Sequence, residues 1–580
     1  VETEGDGFLS ITLPTFAKAL ERALATGQWS HHGNFKRCRG LPAFLRGFLM
    51  RIFSVDGALL DEPDANCIWA VRQICNLTGK VDALTTPSRE RAARSAFIKT
   101  DSELAEHFDM NESSMPYDHF DEVALRLFGD LFDHCEKQIA AFELIPSHGP
   151  GAVADKLSHP QRWQFEYWTD RLEDVFPSWR YAQNLPTMRV RDTVPTSDEL
   201  PVRVVSVPKT RAKPRIIAIE PSTMQYAQQG LKREIYDYVR RSPLSGILGF
   251  TDQTRNQQLA LEASITGSLA TLDLSEASDR VHKNLVSRLL RRWPHLHDFV
   301  MATRSLRADV DGEVIHLAKY ASMGSALTFP LEAIIFTVIA FMGVDVAESR
   351  RTTVRQAAGR ISVYGDDIIV PVDSTADVVR LIEAFGFKVN EHKSFWTGMF
   401  RESCGKEYYR GSDVSVVRLR AEVPTSRQDA VLIRRFTEFR NRAYRAGYWR
   451  TVKVADDLLS LVVRMEARHV DELTAIPSSE VAKDTVLQTP FRHRWNIHLH
   501  RWERRALFVV PQKQPYAVDG DGGVLKWFFE AESDEDDSGF ILDSFESQER
   551  PRSFRTKRAW IESLPKHSMV ALGDLRGPLK

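Results

Sequence analysis

The stretch Arg360-Ile-Ser-Val-Tyr-Gly-Asp-Asp-Ile-Ile-Val-Pro371 decides the fold. Two β-rich runs, Ile361–Tyr364 and Ile368–Val370, flank the turn Gly365-Asp366-Asp367. The pattern predicts a hairpin with two adjacent carboxylates at its tip. Val, Ile and Tyr suit a pleated, half-buried surface, and Asp does not. Two uncompensated carboxylates beside a buried hairpin raise each other's proton affinity unless a cation sits between them. Hard oxygen ligands of this kind suit Mg²⁺, which takes one or two carboxylates and keeps room for phosphates and water. An ordinary Gly-Asp turn has the same local spelling, so the rest of the chain has to decide.

At 580 residues the chain is too long for one core and predicts three or four subdomains. The apolar-rich run Ala333–Val344 is too short to span a bilayer. No charged-then-apolar leader opens the sequence, so a cytoplasmic protein without a membrane partner is expected. The five cysteines, Cys38, Cys67, Cys75, Cys135 and Cys404, form no Cys-x-x-Cys pair, which points to isolated thiols. The net charge of −1 hides segregation. Residues 201–260 and 401–450 each carry net +6, whereas 101–150 and 519–549 each carry net −10. Basic blocks on either side of the carboxylates fit a polyanion channel, and the acidic blocks fit solvated faces or docking surfaces.

Residues 1–145 read as helical, for example Phe16–Ala25 and Phe120–Phe142, with no chemistry beyond packing. His148-Gly-Pro-Gly-Ala152 marks a rigid turn, and the aromatic run Trp163–Trp179 suits either base stacking or a core. Val202–Val207 is a predicted strand, followed by Lys209, Arg211, Lys213 and Arg215 before Ile216–Ile219. Alternate cations at a strand junction suit a triphosphate, and a solvated basic edge would be spelled the same way. Leu269–Leu272 reads as a buried strand with Asp273 at its carboxyl end and Ser275 as cap of a following helix. Asp273 is then the natural partner of Asp366 and Asp367 in a two-metal site.

Between Asp273 and Arg280 there is no aromatic residue to wall off a 2′-hydroxyl, while Ser278 and Asp279 offer it hydrogen-bonding partners. Ser322, Gly324 and Thr328 form a small-residue loop before a helix over Leu331–Met342, within which Glu332 must bond to the loop or face the cleft. Asp377–Phe385 is a predicted helix, after which Lys393 is either a general acid or a surface lysine. Phe400–Gly411 resembles a second hairpin whose Arg401, Lys406 and Arg410 could grip a nucleic-acid backbone. The helical stretch Arg427–Arg450, with Arg434 and Arg435 among aromatics, suits a duplex-tracking helix or a surface helix with an aromatic core face. Asp534-Glu-Asp-Asp537 is expected to be an acidic loop.

In this order the segments resemble the palm of a viral RNA-dependent RNA polymerase. The spelling is closer to one family, the replicase catalytic subunit of positive-strand RNA bacteriophages (leviviruses). The resemblance rests on Val207-Pro-Lys209 with Arg215, Ile217–Pro221, Asp252-Gln253, Asn256-Gln257 and Ala270–Ser275 with Ala277-Ser-Asp279. It continues through Ser322-Met-Gly324, Thr328-Phe329, Leu331-Glu332, Val363–Ile369, Gly386-Phe387, Asn390, Lys393 and Phe400–Lys406 with Tyr408-Tyr409. It covers residues 200–415. The middle lysine of the family's cationic motif falls on Ala212, so Arg211 or Lys213 has to replace it.

The resemblance implies an α+β right-hand polymerase fold. Its parts would be a helical region at 1–145, fingers at 146–262, palm at 263–420, and a thumb with C-terminal region at 421–580. It implies template-directed addition of ribonucleotides to an RNA 3′-hydroxyl. Asp273, Asp366 and Asp367 would hold two Mg²⁺, with Mn²⁺ as a substitute. Lys209 and Arg215 would clamp the triphosphate, and Ser278 or Asp279 with the Ser322–Thr328 loop would read ribose. Expected partners are template and product RNA, NTPs, host elongation factors Tu and Ts and a ribosomal protein, in the cytoplasm of a bacterial host. A reverse transcriptase-like polymerase and a non-catalytic RNA-binding relative are the alternatives.

Overall fold

The computed structural model describes most residues from 5 to 462, apart from 31–32, 34, 82–84, 159–160, 166 and 183–192. Beyond 462 it describes only 466–468, 478–480, 493–499, 501–511 and 554–562. The acidic stretch Asp534–Asp537 lies outside the described residues.

At the centre is a three-stranded antiparallel sheet in which Asp367–Pro371 lies between Leu269–Leu272 and Ser362–Tyr364. Ile368 pairs with Leu272 and Pro371 with Leu269, and Asp367 pairs back to Tyr364 across a two-residue turn. The turn residues are Gly365 and Asp366. Gly365 has φ of 60°, and a Cβ there would sit 2.4 Å from the Phe329 ring, so the tip needs glycine both for its backbone and for its packing.

The helix Thr328–Glu348 lies behind this sheet. Apolar on every side, it is buried along nearly its whole length, as such a helix must be in a protein core. It runs longer than the apolar stretch seen in the sequence and reaches bilayer length at 21 residues, yet 89% of its most apolar window is inside the protein. The helices Tyr117–Ala140 and Thr375–Ala384 pack against it. A second sheet has the order Arg215–Ile219, Val202–Val207, Arg307–Val310, Glu313–His316. Its first two strands are the expected cationic pair, joined antiparallel with Val207 opposite Arg215.

The predicted helices at Phe16–Ala25 and Phe120–Phe142 are Leu13–Thr26 and Tyr117–Ala140. The first 75 residues do not pack apart from the rest. Phe16, Leu20, Leu49, Ile68 and Val71 share one core with Phe395, Phe400, Tyr409 and Val414 of the second hairpin region. Two expectations need correction. Ser275 caps no helix, because Leu274–Ser275 pairs as a short strand with Lys388–Val389. The chain instead turns through Glu276 at φ of 57° into a 3₁₀ turn, and the next helix, Lys283–Leu290, is capped by His282. In the aromatic run, Trp163, Phe165, Trp168 and Phe176 are core residues, and Trp179 keeps an exposed face.

Candidate active site

The hairpin and the neighbouring strand bring three carboxylates to one corner. One register step beyond the Ile368–Leu272 pair, Asp367 falls opposite Asp273, and cross-strand partners share a face of the sheet. Asp366 sits in the turn beside them and keeps an exposed surface. The short pairing of Lys388–Val389 with Leu274–Ser275 then delivers the turn that follows to Asp273. There Lys393 Nζ donates to Asp273 Oδ1 at 3.1 Å, and Asn390 Nδ2 donates to Oδ2 at 2.8 Å. The backbone is tied as well: the Asn390 amide donates to the Asp273 carbonyl at 2.8 Å, and the Asp273 amide to Ser394 Oγ at 3.0 Å.

Asp367 is held from the other side. Asn256 Nδ2 donates to its carbonyl at 3.2 Å while Asn256 Oδ1 accepts from Ser362 Oγ at 2.6 Å. One asparagine therefore fixes both strands of the hairpin. Burial, then the charges of Asp366 and Asp273, push the Asp367 carboxyl up to about 7. Asp366 is raised too, by its depth in the cleft and by Asp273, although its outer surface is exposed; Lys393 and Lys209 ease the shift. Lys393 is held firmly charged: burial would deprotonate it, but Asp273, Glu402 and Asp367 more than offset this. Lys209 is displaced the opposite way by burial and by Arg215 and Lys393, with Asp366 and Asp273 acting against the shift.

Glu332 faces the same corner from the core helix. Ser278 Oγ donates to its Oε2 at 2.6 Å. Burial and the nearby Asp366 push its carboxyl up to about 8. Asp279 is neutralised by Lys319 at 3.0 Å, a fully buried lysine that also lies over the Phe97 ring. In the adjoining loop the Ser322 carbonyl accepts from Thr328 Oγ1 at 2.9 Å, and the buried Ser322 hydroxyl has no partner among the described residues. Gly324, at φ of 136°, packs against the cationic strand so closely that a Cβ would lie 2.0 Å from the Ala218 carbonyl oxygen. That contact ties the loop to the Arg215–Ile219 strand.

Among the described residues no three His, Cys, Asp or Glu side chains are already gathered as a complete cage for a metal ion. The oxygens of Asp273 are engaged with Lys393 and Asn390. The donor set nevertheless fits Mg²⁺: two hairpin carboxylates repel each other where water is scarce, and the ion needs only one or two carboxylates besides phosphate oxygens.

Not every expected residue arrives here. Lys213 bridges to Glu276 at 3.1 Å and Arg211 to Asp6 at 3.0 Å, so each has a carboxylate of its own. Arg401 does not face nucleic acid. Its side chain is wholly buried and donates to the carbonyls of Leu269, Thr397, Gly398 and Phe400, fastening the second hairpin to the central sheet. That hairpin consists of Phe400–Ser403 and Lys406–Tyr409. Lys406 is paired with Asp413 at 2.7 Å, and Arg410 donates to the Asp61 carbonyl at 2.6 Å. The predicted helix at Arg427–Arg450 is Ala430–Arg445 followed by Trp449–Val462. Its Arg434 and Arg435 are half-buried, Arg434 lying 3.7 Å from Glu438, and Phe436 and Phe439 form its core face. Lys319 carries no local signal, because its partner is 40 residues away. Asn256 and Asn390 were visible only as matches to a family pattern.

Comparison with known proteins defines the class. The family model of the RNA replicase beta-chain matches residues 183–493, more than half of the sequence, and the chain belongs to that family. It is 39% identical over 212 residues to the RNA-directed RNA polymerase beta chain of Escherichia phage MS2, covering 36% of each chain. To the RNA-directed RNA polymerase subunit beta of Qbeta virus (strain MX1) it is 32% identical over 348 residues, 58% of this chain and 54% of that one. The matched segments thus span about a third to a half of the length of these relatives. Among solved structures, the RNA-dependent RNA polymerase of a human picorbirnavirus overlays with a TM-score of 0.34 at 12% identity, covering 45% of this chain and 55% of that one.

Proposed function

We propose that this chain is the catalytic subunit of an RNA-dependent RNA polymerase, adding ribonucleoside monophosphates from NTPs to an RNA 3′-hydroxyl. The observation that carries the proposal is the convergence of Asp273, Asp366 and Asp367 with Lys393 and Lys209 in one cleft. A non-catalytic RNA binder has no use for carboxylates held together against their own repulsion. On this reading residues 263–420 are the palm, 146–262 the fingers and the region from 421 the thumb of a right-hand polymerase. Template and product RNA, NTPs, host elongation factors Tu and Ts and a ribosomal protein are its partners, in the cytoplasm of a bacterial host.

Asp366 and Asp367, with Asp273, would hold two Mg²⁺ ions, which would supply positive charge to the phosphate oxygens in phosphoryl transfer. Lys209 and Arg215 grip the triphosphate by charge-assisted hydrogen bonds. Lys393 carries a proton held by Asp273 and donates it to the departing pyrophosphate oxygen. Because Ser278 spends its hydroxyl hydrogen on Glu332, its lone pairs stay free to accept from a ribose 2′-hydroxyl, and the Ser322 hydroxyl, without a partner among the described residues, lies in the adjoining loop. A site built this way rejects deoxyribose by leaving buried polar atoms unpaired. On an RNA template, incorporation from NTPs is therefore expected to exceed that from dNTPs by at least about a hundredfold. Equal use of both pools would favour the reverse transcriptase-like alternative.

The carboxylates also predict how metal acts on stability. Asp366 and Asp367 have folded pKa values above the unfolded value of 3.8, Asp367 at about 7. The folded chain therefore keeps protons that the unfolded chain has released. The contribution is most favourable below pH 3.8 and is lost as pH rises through about 7. Mg²⁺ replaces those protons. Its addition is expected to raise the melting temperature more at about pH 8 than at about pH 6, and to have no such effect on the double variant Asp366→Asn/Asp367→Asn.

A further inference from the structure

Residues 414–420, on leaving the second hairpin, run between two other parts of the chain. On one side the Val417 amide donates to Gln73 Oε1 at 2.8 Å, Gln73 Nε2 donates to the Val417 carbonyl at 2.8 Å, and the Leu419 amide donates to the Leu77 carbonyl at 2.7 Å. On the other side Arg442 of the helix Ala430–Arg445 reaches the Arg418 carbonyl at 3.5 Å. Leu77, Val417 and Leu419 close the junction against Phe436, Phe439 and Leu459. Each of the three pieces brings cations to it: Lys80, then Arg418 and Arg420, then Arg442.

These charges lie close enough to act on one another. Burial and then Arg418 and Arg420 push Lys80 down to about 8, and Lys393 of the catalytic corner contributes to the same shift. Arg442 is lowered by burial and by Arg420, Arg418 and Arg445, and its buried Nε has no partner among the described residues. The carboxylates facing the group are fewer. Glu402 acts on Lys80, Glu438 on Arg442, and Glu407 binds Arg418 at 2.8 Å. Lys80, though partly enclosed, and Arg420 each keep an exposed surface, and neither has an ion-pair partner among the described residues. Folding alone gains nothing by gathering like charges in this way; a polyanion laid along them does.

We infer that this seam, from Lys80 through Arg418 and Arg420 to Arg442, binds the phosphate backbone of an RNA strand engaged by the polymerase. The inference rests on the polymerase reading above, which supplies the RNA strand. A line of cations spread over three chain segments matches successive phosphates of a polymer rather than one small anion.

The test is a salt titration of a short labelled RNA primer–template duplex with the full chain. It compares the wild type with Lys80→Ala/Arg420→Ala and with Arg292→Ala, an exposed arginine outside the seam. Because Lys80 and Arg420 keep an exposed surface and hold no ion pair among the described residues, the double variant is expected to melt at the wild-type temperature. Its slope of log K against log salt is expected to flatten by about 2, with affinity falling roughly tenfold or more at low salt, while Arg292→Ala leaves both unchanged. A double variant that keeps wild-type slope and affinity would overturn the seam and leave the polymerase reading standing. The same result follows if the seam serves an acidic protein instead. A wild-type chain that binds no RNA at any salt would remove both.

Discussion

Asp366→Asn is expected to abolish nucleotide addition, lowering the rate on the order of a thousandfold or more while the chain stays folded. Asparagine keeps the shape of the side chain and removes only its charge. The hairpin turn depends on Gly365 and on the Tyr364–Asp367 pair, neither of which the change touches. What is lost is negative charge at the point where phosphate oxygens must be met by metal, and such electrostatic contributions are the largest single ones in phosphoryl transfer. Stability should move the opposite way. Asp366 is held up in pKa by burial and by Asp273, so replacing it relieves repulsion. A melting temperature equal to or above that of the wild type, together with lost turnover in a single-nucleotide addition assay, separates a chemical defect from a folding one. Loss of structure, or turnover within tenfold of the wild type, would show that the charge is not used as argued.

Arg72→Met is expected to produce the largest loss of stability. Arg72 is fully buried and lies 2.8 Å from Glu21 and 2.7 Å from Glu407, with its guanidinium over the Phe400 ring. Its charge holds Glu407 down at about 2, with help from Arg418, whereas burial and the Glu407 charge raise Glu21. Removing the arginine leaves carboxylates underground without their main partner, which costs about 3–5 kcal/mol in comparable pairs. Glu21 lies in the helix Leu13–Thr26, Arg72 in the helix Ala65–Asn76 and Glu407 in the second hairpin, so the loss falls on the core that joins the N-terminal residues to that hairpin. A drop of about 3 °C or more in thermal midpoint is expected. Arg72→Met/Glu21→Met should recover part of it, since an apolar pair removes one of the stranded charges. An unchanged midpoint would mean that the pair contributes no net stability.

The Gly-Asp-Asp hairpin and the Asp273 strand were legible because their signals are local. Alternating β-branched residues, a glycine at a two-residue turn and an acid at a strand end mean much the same in any fold. Glu332 was half legible: a carboxylate in an apolar helix has to find a partner, but Ser278 lies 54 residues away and no local pattern names it. Arg401 shows the limit. An arginine next to a hairpin is spelled alike whether it faces solvent or turns inward, and the acceptors that draw it inward include the Leu269 carbonyl, 132 residues earlier. Ser275 failed for a similar reason, since its pairing with Lys388 across more than a hundred residues overrode a capping preference. Lys80 carried no motif, and its neighbours Arg418 and Arg420 become meaningful only when residues 73–77 are hydrogen-bonded to 417–419.

The most direct test of the central claim is incorporation of labelled ribonucleotide by the purified chain, with and without bacterial lysate, on RNA and DNA templates in Mg²⁺. Asp366→Asn serves as the blank. The expected result is product on the RNA template that depends on Mg²⁺ and rises well above the blank. Incorporation no greater than that of Asp366→Asn, with lysate present, would contradict the account.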